Sequence, residues 1–232
     1  MDIASESVPG VSGGQCGVIF DLDGTLLDTL RDIAAAANEV LLELKFPEHS
    51  VEKYRFLVGD GVRVLFQRAL PDGMGTERVV DRCVELFERH YAETWDRTSV
   101  PYDGIKSLLE ALERRRVPMA VLSNKPHAFT LQCVLRFFTS GQFDPVFGQR
   151  PNVARKPDPA GVDEICRHWG IPAGKVFYLG DTNTDMWTAC AAGCVAVGVT
   201  WGFRQASELE ASGARFLIDE PAELLPLLDT VG

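Results

Sequence analysis

The chain has 232 residues, of which 46% are apolar and 24% are charged, so it is long enough to bury a full hydrophobic core. Its formal net charge of −10 argues against a general nucleic-acid-binding protein, because such a protein needs a basic face. No apolar run approaches the eighteen or so residues of a membrane-spanning helix, so we expect neither nucleic acid nor a membrane as a partner.

The first segment of the chain, residues 1–14, is rich in serine and glycine and contains no lysine or arginine. It also lacks the apolar block of a secretory signal. We therefore expect a flexible tail over residues 1–14 and a cytoplasmic protein.

A short apolar run, Val18–Phe20, leads directly into two carboxylates, Asp21 and Asp23. Such a run, bounded by turn residues, predicts a buried strand. Ligands of open parallel sheets bind beyond the carboxyl ends of the strands, so these carboxylates are expected at a binding site. They can hold a hard cation, and one of them can attack a phosphorus atom. A calcium loop is excluded, because its sixth and twelfth positions, counted from Asp21, hold Leu26 and Asp32 instead of glycine and glutamate.

The next segment, residues 30–97, shows only helical periodicity. Apolar residues recur at three- and four-residue spacings, as on one face of an amphipathic helix, and Ser50 is a typical helix N-cap. This pattern indicates a small helical cap domain inserted after the first strand. It predicts helices over 30–44, 62–70 and 77–95, and a short helix after Ser50.

From residue 98 onward, short apolar runs alternate with helical patterns. The predicted strands are 118–122, 145–148, 176–181, 195–199 and 216–218. This alternation predicts a mostly parallel sheet that is covered by helices on both faces. We therefore expect an α/β fold with a Rossmann-like core formed by residues 15–29 and 98–232, and the helical cap inserted at 30–97.

Polar side chains follow several of these strands or lie in the loops after them: Asp21 and Asp23, Ser123 and Asn124, Lys156, and Asp181 with Asp185. The carboxyl ends of parallel strands meet at one edge of a sheet, so these groups can converge there. Several carboxylates repel each other unless a cation lies among them, and Mg²⁺ accepts one or two carboxylates together with phosphate and water. Lys156 and the Ser123 hydroxyl would bind a transferring phosphoryl group. Each group alone also fits a turn, a helix cap or a solvated loop.

Together these motifs resemble those of the haloacid dehalogenase-like hydrolases. The four matching segments are Asp21-Leu22-Asp23-Gly24-Thr25, Ser123-Asn124, Lys156-Pro157 and Gly180-Asp181-x-x-x-Asp185. Within that family the sequence is most similar to the phosphoglycolate phosphatase branch, through residues 58–61, 201–204 and 218–225. One departure is Ser123, where many relatives of this branch carry threonine, and the hydroxyl is kept.

The resemblance implies a phosphatase that proceeds through an aspartyl phosphate. Asp21 would be the nucleophile and Asp23 the general acid and base, with Lys156 as the third catalytic residue. It also implies Mg²⁺ held by the Asp21 carboxylate, the Asp23 backbone carbonyl and Asp181, with Asp185 as a further ligand or a neighbour of the ligands. The residues expected to bind the phosphorylated substrate are Ser123, Asn124, Gly24, Thr25, Gly59 and Gly61. Lys125 is a second candidate cation for the phosphoryl group.

The expected partner is a small phosphorylated metabolite, with 2-phosphoglycolate as the first candidate. The helical cap would move as a lid, with hinges near Thr29 and residues 99–101, and Gly59 and Gly61 would reach toward the site. Alternatively, these glycines only join two helices. Two other functions stay open: a sugar-phosphate phosphomutase of the same superfamily, and a non-catalytic binding module on the same scaffold. The sequence does not indicate an oligomeric state.

Overall fold

The computed structural model describes residues 16–230, so the tail predicted at 1–14 lies outside the described residues. The strands are β1 (Gly17–Phe20), β2 (Leu27–Asp28), β3 (Val100–Pro101), β4 (Met119–Pro126), β5 (Val146–Gln149), β6 (Val176–Gly180), β7 (Val195–Val199) and β8 (Phe216–Ile218). The helices are α1 (Leu30–Glu43), α2 (Val51–Leu57), α3 (Val62–Ala69), α4 (Glu77–Ala92), α5 (Ile105–Arg114), α6 (His127–Phe137), α7 (Ala160–Trp169), α8 (Asn183–Ala192), α9 (Ala206–Ala211) and α10 (Leu224–Leu227). Within residues 16–230, no helix combines the length and the apolar character needed to cross a membrane.

Six strands form one parallel sheet in the order β5-β4-β1-β6-β7-β8, which confirms the predicted α/β fold. The strand β1 lies in the middle, with Phe20 opposite Val121 of β4 and Leu179 of β6. Because the three strands are in register, the residues that follow them leave the sheet side by side. This arrangement places the polar motifs of three separate chain segments at one edge.

Both faces of the sheet are covered, and the side chains of β1 alternate between them. Val18 and Phe20 pack with α5, α6 and α10, whereas Ile19 packs with α7, α8 and α9. All three side chains are fully buried. The alternation follows from the two-residue period of a strand, and burial on both faces explains why the strand reads as a continuous apolar run.

The helices α1 to α4 form a separate helical module around their own apolar cluster. The small residues Ala34 and Ala37 of α1 are fully buried in this cluster with Cys83 and Phe87 of α4. Alanine has no bulky side chain, so the two helix backbones can approach closely. The predicted cap of α2 is confirmed, because the Ser50 hydroxyl accepts a hydrogen bond from the backbone N–H of Lys53 at 3.4 Å.

Two chain connections join the helical module to the sheet, and they are held together at their base. The short strands β2 and β3 pair antiparallel there, with Leu27 opposite Pro101. The carboxylate of Asp32 in α1 accepts hydrogen bonds from the backbone N–H and the hydroxyl of both Thr98 and Ser99, at 2.7–3.1 Å. This pairing could not be predicted from the sequence, because two-residue strands carry no periodic pattern.

We expect Asp32→Ala to lower the free energy of unfolding by about 2 kcal/mol or more, because each buried donor left without an acceptor costs about 1–3 kcal/mol. Asp32 is only 3% exposed, so water cannot replace its carboxylate fully. Urea unfolding measures the change. Asp103→Ala, which removes an exposed carboxylate, is the matched control. A loss below about 0.5 kcal/mol, typical of surface substitutions, would contradict this role of Asp32.

Candidate active site

The residue after β1, Asp21, lies at the bottom of the site and forms an ion pair with Lys156. The Lys156 ammonium nitrogen is 2.8 Å from Oδ1 of Asp21 and 2.7 Å from Oδ1 of Asp185. Burial lowers the pKa of Lys156, but the carboxylates of Asp185 and Asp21 outweigh it, so the pKa lies well above its usual value. The other oxygen of Asp21, Oδ2, has no hydrogen-bond donor within residues 16–230. It is therefore free to react with a bound group or to bind one.

Three buried carboxylates, those of Asp21, Asp181 and Asp185, each place an oxygen within 4.8 Å of the other two. Burial raises the pKa of Asp181 well above its usual value, and the charges of Asp185 and Asp21 raise it further. Burial likewise raises the pKa of Asp21 to about 7, although the Lys156 ammonium opposes the shift. Three carboxylates against one ammonium leave an excess of negative charge. The donor set therefore fits a hard divalent cation, which would favour the ionised carboxylates.

Asp181 is held in place from two sides. Its Oδ1 accepts a hydrogen bond from the Thr25 hydroxyl at 3.0 Å, and its Oδ2 accepts one from the backbone N–H of Phe203 at 2.8 Å. Gly24 has φ = +90°, and a Cβ atom there would lie 2.2 Å from Oδ2 of Asp181. The structure thus places Gly24 and Thr25 against Asp181, outside the lining of the cavity described below, so we assign them to the support of Asp181.

Asp185, at the start of α8, has hydrogen bonds to both of its oxygens. Besides Lys156 on Oδ1, its Oδ2 accepts hydrogen bonds from the backbone N–H of Thr182 at 3.0 Å and from the Thr182 hydroxyl at 2.6 Å. This reciprocal capping box fixes the first turn of the helix. Asp185 therefore positions Lys156 and caps α8, and it contributes its charge to the carboxylate cluster.

The side chain of Asp23 is not part of the carboxylate cluster and has hydrogen-bond partners of its own. Its Oδ1 accepts hydrogen bonds from the Thr29 hydroxyl at 2.7 Å and from the Lys125 ammonium at 2.9 Å, and its Oδ2 lies 3.1 Å from the same ammonium. Burial lowers the pKa of Lys125, but the charge of Asp23 and contact with Tyr91 raise it above its usual value. Lys125 thus contacts Asp23 and Tyr91 instead of Asp21, and Lys156 is the cation beside the nucleophile candidate.

Ser123 and Asn124, near the end of β4, both line the cavity described below, and Asn124 also holds the surrounding loops. The Ser123 hydroxyl oxygen accepts a hydrogen bond from the Lys125 backbone N–H at 3.3 Å, and its own hydrogen has no acceptor within residues 16–230. The Asn124 side chain accepts from the backbone N–H of Lys156 at 3.0 Å and donates to the Lys156 and Gly59 carbonyls at 3.1 Å. Asn124 therefore links the Lys156 loop to the helical module.

A cavity of about 50 Å³ lies between the helical module and the edge of the sheet. Gly59 and Gly61 line it from the helical module, and Asp21, Asp23 and Ser123 line it from the sheet. Hydrogen bonds close the two parts onto each other: Asn124 to the Gly59 carbonyl at 3.1 Å, Arg204 to the Val58 carbonyl at 3.0 Å, Arg55 to the Gly202 carbonyl at 2.9 Å, Lys125 to the Tyr91 oxygen at 2.7 Å and Thr184 to Asp60 at 2.5 Å.

Three residues of the site were not found from the sequence. Tyr91 belongs to the periodic apolar face of α4 and Thr29 precedes α1, so neither carries a local signal for a polar contact with Lys125 or Asp23. Phe203 lies in the segment 201–204, which is similar as a whole to the phosphoglycolate phosphatase branch. It contributes a backbone N–H to Asp181, and any residue other than proline supplies such a group.

Comparisons with known proteins identify the family of this chain. The family model described as haloacid dehalogenase-like hydrolase matches residues 18–199. The phosphoglycolate phosphatase of Pseudomonas putida is 35% identical over 213 residues, which is 90% of this chain and 78% of that protein. The phosphoglycolate phosphatase of Vibrio parahaemolyticus is 32% identical over 216 residues, or 91% and 95% of the two chains. A crystal structure from Lactobacillus delbrueckii subsp. bulgaricus superimposes with a TM-score of 0.87 at 30% identity, covering 93% of this chain and 98% of that one. The family prediction is confirmed, and this chain belongs to the haloacid dehalogenase-like hydrolases.

Proposed function

We propose that this enzyme hydrolyses a small phosphate monoester, 2-phosphoglycolate before others, through an aspartyl-phosphate intermediate and with Mg²⁺ as its cofactor. Its family and its relatives indicate a phosphoric monoester hydrolase. The observation that carries the proposal is the Asp21 carboxylate. One of its oxygens is held by Lys156, and the other is free at a cavity that Ser123 and Asp23 also line.

In the first step, the free oxygen of Asp21 attacks phosphorus, and the bond from phosphorus to the ester oxygen breaks. Asp23, in its protonated form, gives its proton to the departing oxygen, so an alcohol leaves. Lys156 and the Ser123 hydroxyl, whose hydrogen has no acceptor within the described part of the chain, would stabilise the oxygens of the transferring group.

In the second step, water attacks the phosphorus of the aspartyl phosphate, and Asp23, now ionised, takes a proton from that water. The bond between phosphorus and the Asp21 oxygen breaks, so inorganic phosphate leaves and the carboxylate is restored. Thr29 and Lys125 both donate to Asp23, and these two contacts would keep its carboxylate oriented toward the cavity in both steps.

Asp21, Asp181 and the backbone carbonyl of Asp23 would hold the Mg²⁺ ion, with Asp185 beside them. The bound ion would neutralise the carboxylates and the negative charge of the phosphoryl group. Thr25 and the Phe203 backbone N–H keep Asp181 in position for this role.

The size and lining of the cavity support a small substrate. At roughly 10–15 Å³ for each water position, the 50 Å³ of the cavity holds about four such positions. Most of the helical module's contribution is apolar, from residues such as Val62, Leu65 and Phe87. A two-carbon alcohol fits such a space, whereas a nucleoside would hold the helical module away from the sheet.

A panel of phosphate esters at saturating Mg²⁺ tests the proposal by the release of free phosphate. We expect kcat/KM for 2-phosphoglycolate to exceed that for nucleoside monophosphates by at least about tenfold, or about 1.4 kcal/mol of transition-state binding. A tenfold preference for nucleotides would overturn the substrate assignment. Phosphoryl return to the substrate without release of free phosphate would instead indicate a phosphomutase, and no turnover of any ester would overturn the enzymatic function.

We further propose that the helical module, residues 30–97, is a cap that closes the site, and that the paired strands at its base are its hinge. We expect Gly61→Val to lower kcat/KM for 2-phosphoglycolate more than for an aryl phosphate, because the small substrate needs full closure. Gly61 has φ = +87°, and a Cβ atom there would lie 3.4 Å from the Asn124 carbonyl oxygen of the sheet. Gly73→Val is the matched control, since Gly73 also has positive φ but its Cβ would meet no atom within 4 Å. An equal loss on both substrates would contradict the closure.

A further inference from the structure

We propose that Lys125 and Tyr91 bind the carboxylate of the alcohol half of the substrate. These two residues would then select phosphorylated hydroxy acids over phosphate esters of neutral alcohols. This inference rests on the proposed function and assigns a second anion site, distinct from the phosphoryl site beside Lys156. It joins one residue of the sheet edge, Lys125, to one residue of the helical module, Tyr91.

The position of Lys125 supports this assignment. Among the described residues that line the cavity, it is the only one with a basic side chain. It is 8% exposed, and its ammonium nitrogen lies 2.7 Å from the Tyr91 hydroxyl oxygen and 2.9 Å from Oδ1 of Asp23. Lys156 contacts Asp21 on the phosphoryl side and does not line this cavity. The two lysines therefore serve opposite ends of a substrate that carries an anion at each end.

Tyr91 supplies the second observation. Its hydroxyl oxygen accepts the hydrogen bond from Lys125, so its own hydrogen is left to donate, and no acceptor for it exists within residues 16–230. The side chain is 1% exposed, and its ring is fixed by stacking on Phe87, with centroids 5.1 Å apart, and by an edge contact with Phe129 at 5.2 Å. A buried donor that lines a cavity and lacks a protein acceptor indicates a ligand oxygen.

The chemistry of the pair fits a carboxylate. A carboxylate accepts several hydrogen bonds, and bonds to a charged donor are roughly twice as strong as neutral ones. The ammonium of Lys125 and the hydroxyl of Tyr91 are two converging donors of this kind. Lys125 also contacts Asp23, which protonates the alcohol oxygen of the substrate. That oxygen would therefore lie close to the carboxylate of the substrate, as it does in a two-carbon hydroxy acid. A neutral alcohol of the same size would leave the Tyr91 hydroxyl without an anionic acceptor and would offer Lys125 none beyond Asp23.

The experiment compares kcat/KM for 2-phosphoglycolate with kcat/KM for 2-hydroxyethyl phosphate, which has the same length and no carboxylate. Both substrates release an alkoxide that needs a proton, so any general effect on Asp23 cancels in their ratio. We expect Lys125→Met to lower the ratio by at least about tenfold. Tyr91→Phe, which removes only an oxygen atom, should lower it by several fold.

Two control variants match these changes. Lys106→Met removes an exposed lysine of α5 that does not line the cavity, and Tyr54→Phe removes a buried hydroxyl of the helical module that already donates to Asn38. Neither should change the ratio. Hydrolysis of p-nitrophenyl phosphate by the wild-type enzyme tests the proposed function separately, because its failure would overturn the phosphatase and not only the carboxylate site.

An equal loss on both substrates in Lys125→Met would show that Lys125 only orients Asp23, and would overturn the carboxylate site. An unchanged ratio in Tyr91→Phe would remove Tyr91 from it. If Lys125→Met does not fold, Tyr91→Phe alone decides: a lower ratio supports the site, and an unchanged one overturns it.

Discussion

Asp21→Asn is expected to reduce phosphatase activity by at least about a thousandfold, equivalent to about 4 kcal/mol of transition-state stabilisation. The amide keeps the size of the side chain but lacks the anionic oxygen that would attack phosphorus. Phosphate release from 2-phosphoglycolate and from an aryl phosphate measures the loss. Both substrates should be affected, because attack by Asp21 on phosphorus is required for each of them, whatever the leaving group.

The fold of this variant should stay intact, since β1 is held by the buried residues Val18, Ile19 and Phe20 and not by the carboxylate that follows them. Circular dichroism and thermal unfolding check this point. Asp28→Asn is the matched control, because Asp28 lies close by in β2 and, among residues 16–230, its carboxylate accepts only the Leu30 backbone N–H at 3.4 Å. A well-folded Asp21→Asn protein that turns over at the wild-type rate would disprove covalent catalysis by Asp21.

Removal of divalent cations by excess chelator is expected to reduce phosphatase activity by about a hundredfold or more. The physical reason is the cluster of Asp21, Asp181 and Asp185, whose mutual repulsion the single Lys156 ammonium offsets only in part. Added Mg²⁺ should restore activity. Ca²⁺ should inhibit, because it prefers more ligands and longer bonds than Mg²⁺.

The variant Asp181→Asn separates loss of the cation from loss of the nucleophile. We expect it to raise the Mg²⁺ concentration needed for half-maximal activity, because one charged ligand is lost while Asp21 is unchanged. The amide can still accept from Thr25 or the Phe203 backbone N–H. Asp219→Asn, at an exposed position, is the control. Full activity in excess chelator would overturn the metal requirement for wild-type enzyme.

The sequence by itself determined the sheet and the residues at its edge. The run Val18–Phe20 is apolar because β1 is buried on both faces, and this is a local property that can be read without knowledge of the rest of the chain. The parallel arrangement followed from alternation of strands and helices, and it predicted that Asp21, Ser123 and Asp181 meet at one edge. The order β4-β1-β6 confirms the arrangement that this prediction requires.

Only the tertiary structure decided how the side chains at that edge are partnered. Lys125 and Asp23 are 102 residues apart, Lys125 and Tyr91 are 34 apart, and Asp32 reaches Thr98 across 66 residues. No periodicity or local motif encodes such contacts, because each joins residues that are distant in the chain, and the contact of Lys125 with Tyr91 also depends on the angle at which the helical module meets the sheet. That angle is set by the packing of two separate apolar clusters and by the short β2–β3 pairing between them. The sequence could therefore place the chemical groups at one edge, but the choice of partner for each group required the packed structure.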